Sequence, residues 1–502
     1  MAKKHGVFIY EEGTALTVPQ ESSAGLQVVV GTAPVNMVDD PESKVNVPIL
    51  ASSAAEAMQE LGFSTEFKKY TLCASMYATA NLYQVSPVVY INVLNPNKHK
   101  KALAASVVKV EDLQATVKQA GIIKGGIVVK MTADADQSME DGEVPADSQL
   151  TTLVENVDYT LGFDSDGYLV VTLIADRPCA SRDAVVVSGN QLDPSAVTKE
   201  DIIGAVDVAT GKETGMETIR QVYPRFNLVA GILLAPYWSQ IPEVGIALCA
   251  KAANINGVFK AMAFVDIPTD ATNGARKYAD VKTVKESCGF TSEFCVPCWP
   301  MVRVGDITLP YSVVAAARTA YQDATNEDVP SRSPSNISLA ITGACLEDGT
   351  EITLDQDQAT TVGEYGVMTC VNINGFKMWG NHTACYPGSG DAKDIWIAVR
   401  RMFNWQGNNF ILTYFDKVDD PMNYKLIENI VDSENIRCAA YVPDHWAGAS
   451  IEYLEDDNPE TDILAGRVTF RQHIAPYTPA ETINNILNYD TGMLKAALLG
   501  GE

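Results

Sequence analysis

The chain has 502 residues, of which 46% are hydrophobic and 20% are charged. This length is typical of about three domains, and this composition can bury large cores and excludes a generally disordered chain. The 63 acidic residues outnumber the 37 lysines and arginines, which leaves a formal net charge of −26. Because so acidic a surface repels phosphate backbones and anionic lipids, we expect neither nucleic acid nor a membrane as a partner.

The sequence predicts no leader or membrane anchor. Residues 5–12 (HGVFIYEE) supply no apolar core for a signal peptide. The longest apolar run lies near residues 228–237 and is too short for a membrane span. The ten cysteines are scattered along the chain, which favours free thiols in a reducing cytosol over a secreted disulfide framework.

The chain opens with a candidate arm over residues 1–23. It contains a short stretch with strand propensity, formed by Val7, Phe8, Ile9 and Tyr10. This strand has no nearby hairpin partner, so we expect it to pair with a distant segment or with another chain. The pattern next predicts a buried strand, a helix that Ser52 or Ser53 caps and Gly62 ends, a second helix and another strand, over residues 26–30, 52–61, 70–84 and 86–94.

A change in pattern marks residues 97–211. The alternation there is mostly that of strands, so we predict a β-rich domain that is inserted or separate. Within it, residues 157–173 predict two strands around a hairpin turn that runs from Asp164 to Gly167. Asp164 and Asp166 also resemble a fragment of a calcium loop, but the other ligand positions are missing, which favours a plain turn.

Short apolar strands alternate with helices from residue 217 onward. This alternation predicts a largely parallel sheet that is covered on both faces, followed by a long loop over residues 325–336. The predicted strands cover residues 228–234, 261–267 and 294–304, and the predicted helices cover residues 241–254, 273–287 and 311–321.

The last region mixes both types of element from about residue 371. A helix over residues 394–403 has Asp394 as its expected N-cap, and a second helix covers residues 424–432. Strands are predicted over residues 438–442 and 467–474. The chain ends with a second candidate arm over residues 479–502.

The common catalytic motifs are missing from this sequence. It contains no phosphate loop, no dinucleotide-binding glycine motif, no esterase elbow and no HExxH zinc motif. None of the histidines ends an apolar strand of the α/β region, and no serine is marked as a nucleophile, so we interpret them as surface or interface residues. The five histidines are His5, His99, His382, His445 and His473. Asp266 at a strand end could be catalytic by position, which leaves a soluble α/β hydrolase with an appended β domain as an alternative.

Cys288, Cys295 and Cys298 are the candidate metal ligands. Cys295 and Cys298 have the CxxC spacing that lets two thiolates share a zinc ion. No second CxxC or paired histidine follows, so buried free thiols are the favoured interpretation, and we expect no bound metal and no cofactor. A zinc-stabilised structural protein is the remaining alternative.

Three groups of residues together resemble contractile tail sheath proteins of bacteriophages and phage-tail-like particles. The first comprises residues 6–12 (GVFIYEE) and 24–34 (AGLQVVVGTAP). The second is the stretch 371–384 (VNINGFKMWGNHTA) with the helix DIWIAVRRMF that follows, and the third is 466–483 (GRVTFRQHIAPYTPAETI). One departure is His382, where the related signature often carries arginine.

The resemblance implies a multidomain α/β and α+β fold. It would contain a subtilisin-like α/β domain without a protease triad, a β-rich inserted domain, and a C-terminal α+β domain with extended terminal arms. The implied segments are an N-terminal arm (1–23), the first part of the α/β core (24–96), the β-rich insertion (97–211), the subtilisin-like domain (212–370), the C-terminal sheath domain (371–478) and the C-terminal arm (479–502).

The resemblance also implies a structural role without catalysis. Sheath subunits polymerise as stacked hexameric rings around an inner tube and contract to drive that tube through a cell envelope. The implied partners are further copies of the chain, the inner tail tube protein, and the baseplate and tail terminator proteins. The implied location is the cytoplasm of the host or producer bacterium during assembly, and then the virion tail or a released tail-like particle.

In this family, the terminal arms would add strands to neighbouring subunits. The arm residues are Val7, Phe8, Ile9, Tyr10, Ile483, Ile486 and Leu487, and the acceptor sheet candidates are Val468, Phe470 and Ile474. Two dozen extended residues at roughly 3.3 Å each would reach about 75 Å. Residues 478–481 (TPAE), however, form a capping box that favours a helix through Leu487, whereas the resemblance favours a strand over residues 482–489.

Overall fold

The computed structural model describes residues 23–133, 144–164 and 166–499. The predicted strand at residues 7–10 lies outside them. The first described elements are β1 (Gln27–Gly31), β2 (Pro48–Ala51), α1 (Ala54–Leu61), α2 (Leu72–Tyr77) and β3 (Val88–Asn92). Helix α1 starts and stops as its terminal residues predict, because Ser53 Oγ accepts from the backbone N–H of Glu56 at 3.2 Å and Gly62 has φ of 74°.

A group of antiparallel strands follows. Its elements are β4 (Lys100–Lys109), β5 (Gln114–Val117), β6 (Val128–Thr132), β7 (Leu150–Thr152), β8 (Tyr159–Phe163), β9 (Leu169–Leu173), β10 (Ala184–Leu192) and the helix α3 (Lys199–Ile203). They form two sheets, β4-β10-β6-β7 and β5-β9-β8, which share one apolar core. The predicted hairpin joins β8 to β9, and the Asp164 carboxylate accepts from the N–H groups of Asp166 and Tyr168 in its turn.

The chain then completes the central sheet. The elements are α4 (Val222–Phe226), β11 (Ile232–Leu234), α5 (Pro242–Ala253), β12 (Met262–Asp266), α6 (Val281–Cys288), β13 (Cys295–Cys298), β14 (Met301–Val304), β15 (Ile307–Leu309), α7 (Tyr311–Ala324), β16 (Gly343–Cys345), β17 (Glu351–Ile352) and α8 (Gln356–Glu364). The sheet has the order β13-β12-β11-β1-β3-β2, and its neighbouring strands are parallel except for the edge strand β2. The predicted parallel sheet is therefore present, with α5 and α7 packed against it.

Two predictions in this region need correction. The predicted helix at 273–287 begins only at Val281, because the Asp270 carboxylate accepts from the N–H groups of Thr272 and Asn273 and holds a loop there. The predicted strand at 294–304 is two strands, β13 and β14, in different sheets. They separate at Trp299, whose N–H donates to the Met368 carbonyl.

The last region contains β18 (Thr369–Asn372), β19 (Phe376–Trp379), α9 (Ala392–Ile395), α10 (Ile397–Tyr414), α11 (Tyr424–Ala439), β20 (Trp446–Glu452), α12 (Glu460–Leu464), β21 (Arg471–Pro476) and α13 (Thr491–Leu498). Asp394 is not the N-cap of the predicted helix. Asp391 caps α9 by accepting from the N–H of Lys393, and the Asp394 carboxylate instead accepts from Arg400 at 3.0 Å.

The strand predicted at 438–442 is wrong. Helix α11 continues through Cys438, because the residues it buries recur at helical spacing, namely Ile430, Glu434, Arg437 and Cys438. The strand predicted at 467–474 begins only at Arg471. The reason lies in the Asn458 side chain, which bonds to both the N–H and the carbonyl of Thr469 and so occupies groups that a strand would use.

The helix that the capping box favours at 482–487 is absent. Residues 477–490 have neither helix nor strand, and the terminal helix α13 begins at Thr491. Neither Ile483 nor Leu487 is covered by the rest of the chain. Without such burial, a capping box does not offset the cost of nucleating a helix.

Candidate inter-subunit surfaces

Helix α10 is the centre of the C-terminal region and is buried along most of its length. Its Arg401 guanidinium forms a buried ion pair with Asp323 of α7, with Nη1 3.0 Å from Oδ1. Arg401 also donates to the carbonyl of Ala24 at 3.1 Å. Burial raises the pKa of Asp323, although Arg401 opposes this effect. The beginning of the described chain is thus tied to the C-terminal region.

A second buried network joins α10, α11 and β21. The Glu434 carboxylate accepts from Arg437 at 2.6 Å, from Gln406 at 2.6 Å and from Gln472 at 2.9 Å. Tyr414 donates to its other oxygen at 3.2 Å. Burial works to raise the pKa of Glu434, but Arg437 and the two amides together hold it below its ordinary value. The carboxylate is therefore ionised and fully satisfied.

Strands β20 and β21 form a two-stranded antiparallel sheet beside this network. The buried Trp446 anchors it, in contact with Trp405 and Tyr441. In the part of the chain that the structure describes, no further strand pairs with either outer edge. Two strands are a marginal sheet on their own, and an open edge is a template for another strand.

The C-terminal segment, residues 477–499, follows β21 directly and leaves apolar side chains in solvent. Ile483 and Leu487 are each 86% exposed, and Ile486 and Tyr489 are similarly exposed. Helix α13 adds the exposed Met493 and Leu498, and Leu499 follows it at the end of the segment. A contiguous set of exposed apolar side chains marks an interaction surface rather than an ordinary monomer surface.

The structure places the predicted arm and acceptor residues as follows. Val7 to Tyr10 lie outside the described residues. Ile474 lies on β21 and packs beside the Trp446 cluster, whereas Val468 and Phe470 precede the strand, with the Phe470 ring 6.2 Å from that of Tyr453. The donation of a strand from Ile483, Ile486 and Leu487 to such a sheet stays a prediction.

Helix α13 is a feature that the sequence analysis missed. Asp490 caps it by accepting from the N–H groups of Gly492 and Met493 at 2.8 and 3.0 Å. An aspartate before an apolar run (MLKAALL) is a recognisable start signal. Helix α13 lies within the arm that the sequence predicts over residues 479–502.

The candidate metal ligands do not form a metal site. Cys295 and Cys298 are buried on β13, and burial raises the pKa of both thiols well above its ordinary value. Cys288 is buried at the end of α6. Among the described residues, no group of three or more His, Cys, Asp or Glu side chains could hold a metal ion.

Asp266 closes a buried contact at the end of β12. It accepts from Ser312 Oγ at 2.6 Å and from the Ser312 N–H at 2.9 Å, and Ser239 Oγ lies 3.3 Å away. Burial raises the pKa of Asp266 to about 6. Asp266 thus joins the start of α7 to the central sheet, and the contacts made by the described histidines lie elsewhere.

The histidines are less exposed than we expected. His99, His382 and His445 are buried within the subunit, which corrects their interpretation as surface or interface residues. Each side chain lies near its own polar partner: His99 near Asp201, His382 near Glu481, His445 near Ser331, and the exposed His473 near Glu452. The hydrolase alternative therefore gains no histidine base at Asp266 within the described ranges.

Across the described ranges, no helix combines the length and apolar character needed to cross a bilayer.

The chain is similar to known proteins over nearly its whole length. No family model matches the chain. It is 25% identical to the tail sheath protein of Burkholderia phage BcepMu, in a match that covers 99% of this chain and 98% of that protein.

Two solved structures share the fold at 12% identity. One is the sheath complex of the extracellular contractile injection system PVC in its contracted state, with a TM-score of 0.55, covering 98% of this chain and 99% of that one. The other is the contracted helical sheath of the anti-feeding prophage, with a TM-score of 0.54, covering 98% and 100%. The likeness to contractile tail sheath proteins that three sequence stretches indicate is thereby confirmed over nearly the whole chain.

Proposed function

We propose that this chain is the structural subunit of a contractile tail sheath, in a phage tail or a phage-tail-like injection system. Its copies form stacked hexameric rings around an inner tube, and contraction of the assembly drives the tube through a cell envelope. The similarity to a phage tail sheath protein, which covers 99% of this chain and 98% of that protein, supports the role as a sheath subunit. We also propose that the assembly surrounds the inner tail tube protein and attaches to baseplate and tail terminator proteins.

The observation that carries the proposal is the exposed C-terminal segment beside an open two-stranded sheet. On β20, the Asn435 side chain already bonds to the carbonyl and the N–H of Ile451 at 3.0 and 2.9 Å. Each copy therefore presents the outer edge of β21, with which no described strand pairs, and a run of unburied apolar side chains after β21. Strand addition from one copy to the next would satisfy both, because backbone hydrogen bonds supply affinity and alternate side chains enter the acceptor core. Repeated in one direction, such a contact builds an open helical assembly.

The link also suits contraction. A strand that is paired with a neighbour but joined to its own subunit by an irregular segment stays attached while the subunits rotate. We propose the same role for the N-terminal residues 1–23, with 479–502 as the second arm. The segments 24–96, 97–211, 212–370 and 371–478 would form the subunit body, and its α/β part serves as a scaffold without catalysis.

The test replaces the exposed apolar residues of the arm. The triple variant Ile483→Ser, Ile486→Ser, Leu487→Ser should keep the circular dichroism spectrum of the wild-type chain, because these side chains are between 81% and 86% exposed. It should form no tubes or rings by electron microscopy. A matched control is Val206→Ser with Val208→Ser, which changes apolar residues that are 41% and 97% exposed at a distant turn.

The control variant should assemble like the wild-type chain. Tubes that form normally from the triple variant would contradict the proposal that the arm links subunits. A chain truncated before Ser23 should likewise remain folded and fail to form tubes.

A further inference from the structure

The first residues after β21 turn back to the body of the same subunit. Glu481 Oε1 lies 3.7 Å from His382 Nδ1. The N–H of Glu481 donates to the Pro479 carbonyl at 3.0 Å, which closes a tight turn at this point. The glutamate side chain is 48% exposed, whereas the histidine side chain is 4% exposed. One partner can therefore leave the contact while the other cannot.

The imidazole of His382 is held between two aromatic rings. It stacks on Tyr386 with centroids 3.8 Å apart and an interplanar angle of 6°, and it lies against Trp396 at 4.5 Å. The backbone around it is fixed to the start of α10, since Thr383 N–H donates to Ile395 and Ile397 N–H donates to Asn381. The ring orientation is thus set by the subunit body.

A buried lysine supports this aromatic site from α6. Lys285 Nζ donates to the carbonyls of Tyr365, Ala384 and Tyr386 at 2.6, 2.7 and 3.1 Å. Burial lowers the pKa of Lys285 to about 8. Below neutral pH, the lysine therefore stays charged and keeps the loop that carries His382 in place.

The remaining charged groups near the ring already have partners. Asp394, in the helix α9, pairs with Arg400 at 3.0 Å and with Lys393 at 3.7 Å. His382 Nδ1 is buried without a hydrogen-bond partner in the described structure. Burial lowers the pKa of His382, and the Glu481 carboxylate, followed by a hydrogen bond with the backbone of Gly363, opposes that effect. Glu481 is thus the charged group that is positioned to accept a hydrogen bond from Nδ1 of this ring.

We propose that His382 and Glu481 form a latch, which closes when the imidazole takes up a proton and donates Nδ1–H to the carboxylate. Such a charge-assisted bond is stronger than a neutral one. By linkage, a closed latch favours the protonated imidazole, so lower pH favours the closed state. The proton comes from solvent, and no other group needs to change.

The latch would determine how far the C-terminal arm can extend from the subunit body. This step rests on the proposed function. When it is closed, the free segment begins at Thr482, so residues 482–490 span at most about 30 Å and α13 adds about 12 Å. When it is open, the segment is free from Tyr477, which adds about 16 Å.

The first test titrates His382 in the full chain, labelled with carbon-13 at histidine Cε1. The chain has only five histidines, so the His382 signal can be assigned by its loss in His382→Asn. In Glu481→Gln, the pKa of His382 should be lower than in the wild-type chain. In the control Glu452→Gln, which removes the carboxylate 3.3 Å from His473, it should be unchanged. An unchanged His382 pKa in Glu481→Gln would overturn the latch.

The second test compares rates of chymotrypsin cleavage after Tyr477 at one pH below neutral. Glu481→Gln should be cut several-fold faster than the wild-type chain and than Glu452→Gln, and equal rates would overturn the proposal. Tube formation is scored separately on the same variants. An intact latch in a chain that never forms tubes contradicts the sheath function alone, and tubes without a latch contradict this inference alone.

Discussion

At the scale of single residues, Asp266 couples the stability of the fold to pH. Its ordinary pKa of 3.8 is raised to about 6 by burial at the end of β12. Between these two values the folded chain binds a proton that the unfolded chain does not, so stability from this group is highest at low pH. It is lost as the pH rises through about 6, and the difference amounts to about 3 kcal/mol.

We expect Asp266→Asn to remove this dependence, because the amide resembles the protonated acid. The free energy of unfolding of the wild-type chain, measured with urea, should fall relative to that of the variant by about 2 kcal/mol between pH 4 and pH 6.5. The control Asp306→Asn, at an exposed turn, should follow the wild-type chain at every pH. A constant difference between the wild-type chain and Asp266→Asn would contradict the assignment.

Among the elements of the C-terminal region, α10, α11 and β21 are joined by a buried polar network as well as by the tryptophan cluster. Glu434 lies on α11 and receives bonds from α10 and β21, so three elements share one buried charge. Removal of one partner from a buried ion pair leaves the other uncompensated, which costs more than the loss of the bond itself.

We therefore expect Glu434→Gln to reduce the free energy of unfolding by about 3–5 kcal/mol, since Arg437 would stay buried without its counter-charge. Thermal and urea denaturation measure this loss. The exposed Glu452→Gln serves as the control and should change stability by less than about 0.5 kcal/mol. Similar losses for the two variants would show that the buried network contributes little.

Elements that depend on local signals could be predicted from the sequence, whereas elements that depend on distant contacts could not. Helix α1 and the β8–β9 hairpin depend on local signals, Ser53 and Gly62 for one and the Asp164 turn for the other, so the sequence pattern located them. The strand predicted at 438–442 and the first four residues of the strand predicted at 467–474 are wrong, because contacts with residues outside these segments determine the structure there. Cys438 completes a buried helical face, and Asn458 binds the backbone of Thr469 from outside the segment.

The candidate inter-subunit surface likewise has features that could be predicted from the sequence and features that could not. The exposed apolar character of Ile483, Ile486 and Leu487 can be read from the pattern, and so can their place near the chain end. The contact between His382 and Glu481 could not be predicted, because it joins residues that are far apart in the sequence and depends on the loop geometry around Tyr386.

At the scale of the whole molecule, charge opposes assembly. Each copy carries a formal charge of −26, so copies that approach one another repel. Salt screens this repulsion, with a Debye length that falls from about 30 Å at 0.01 M to about 10 Å at 0.1 M. Because screening weakens the repulsion between copies, salt favours assembly through apolar and backbone contacts.

We accordingly expect the concentration of chain needed for tube formation to fall as salt rises from about 0.01 to 0.1 M. Sedimentation combined with electron microscopy measures that threshold, and sucrose at matched osmolality serves as the control. A threshold that rises with salt would indicate that attraction between opposite charges, rather than the exposed apolar segment, dominates the contact between copies.

The Arg401 contact has a mechanical consequence. Ala24 belongs to the same buried cluster as Trp405 and Trp446, and Ile474 of β21 packs against that cluster too. A force applied at residue 23 and at Tyr477 would therefore act on one small cluster of aromatic side chains and on the guanidinium of Arg401. This cluster, rather than the central parallel sheet, would bear the force, so the body of the subunit could transmit it without unfolding.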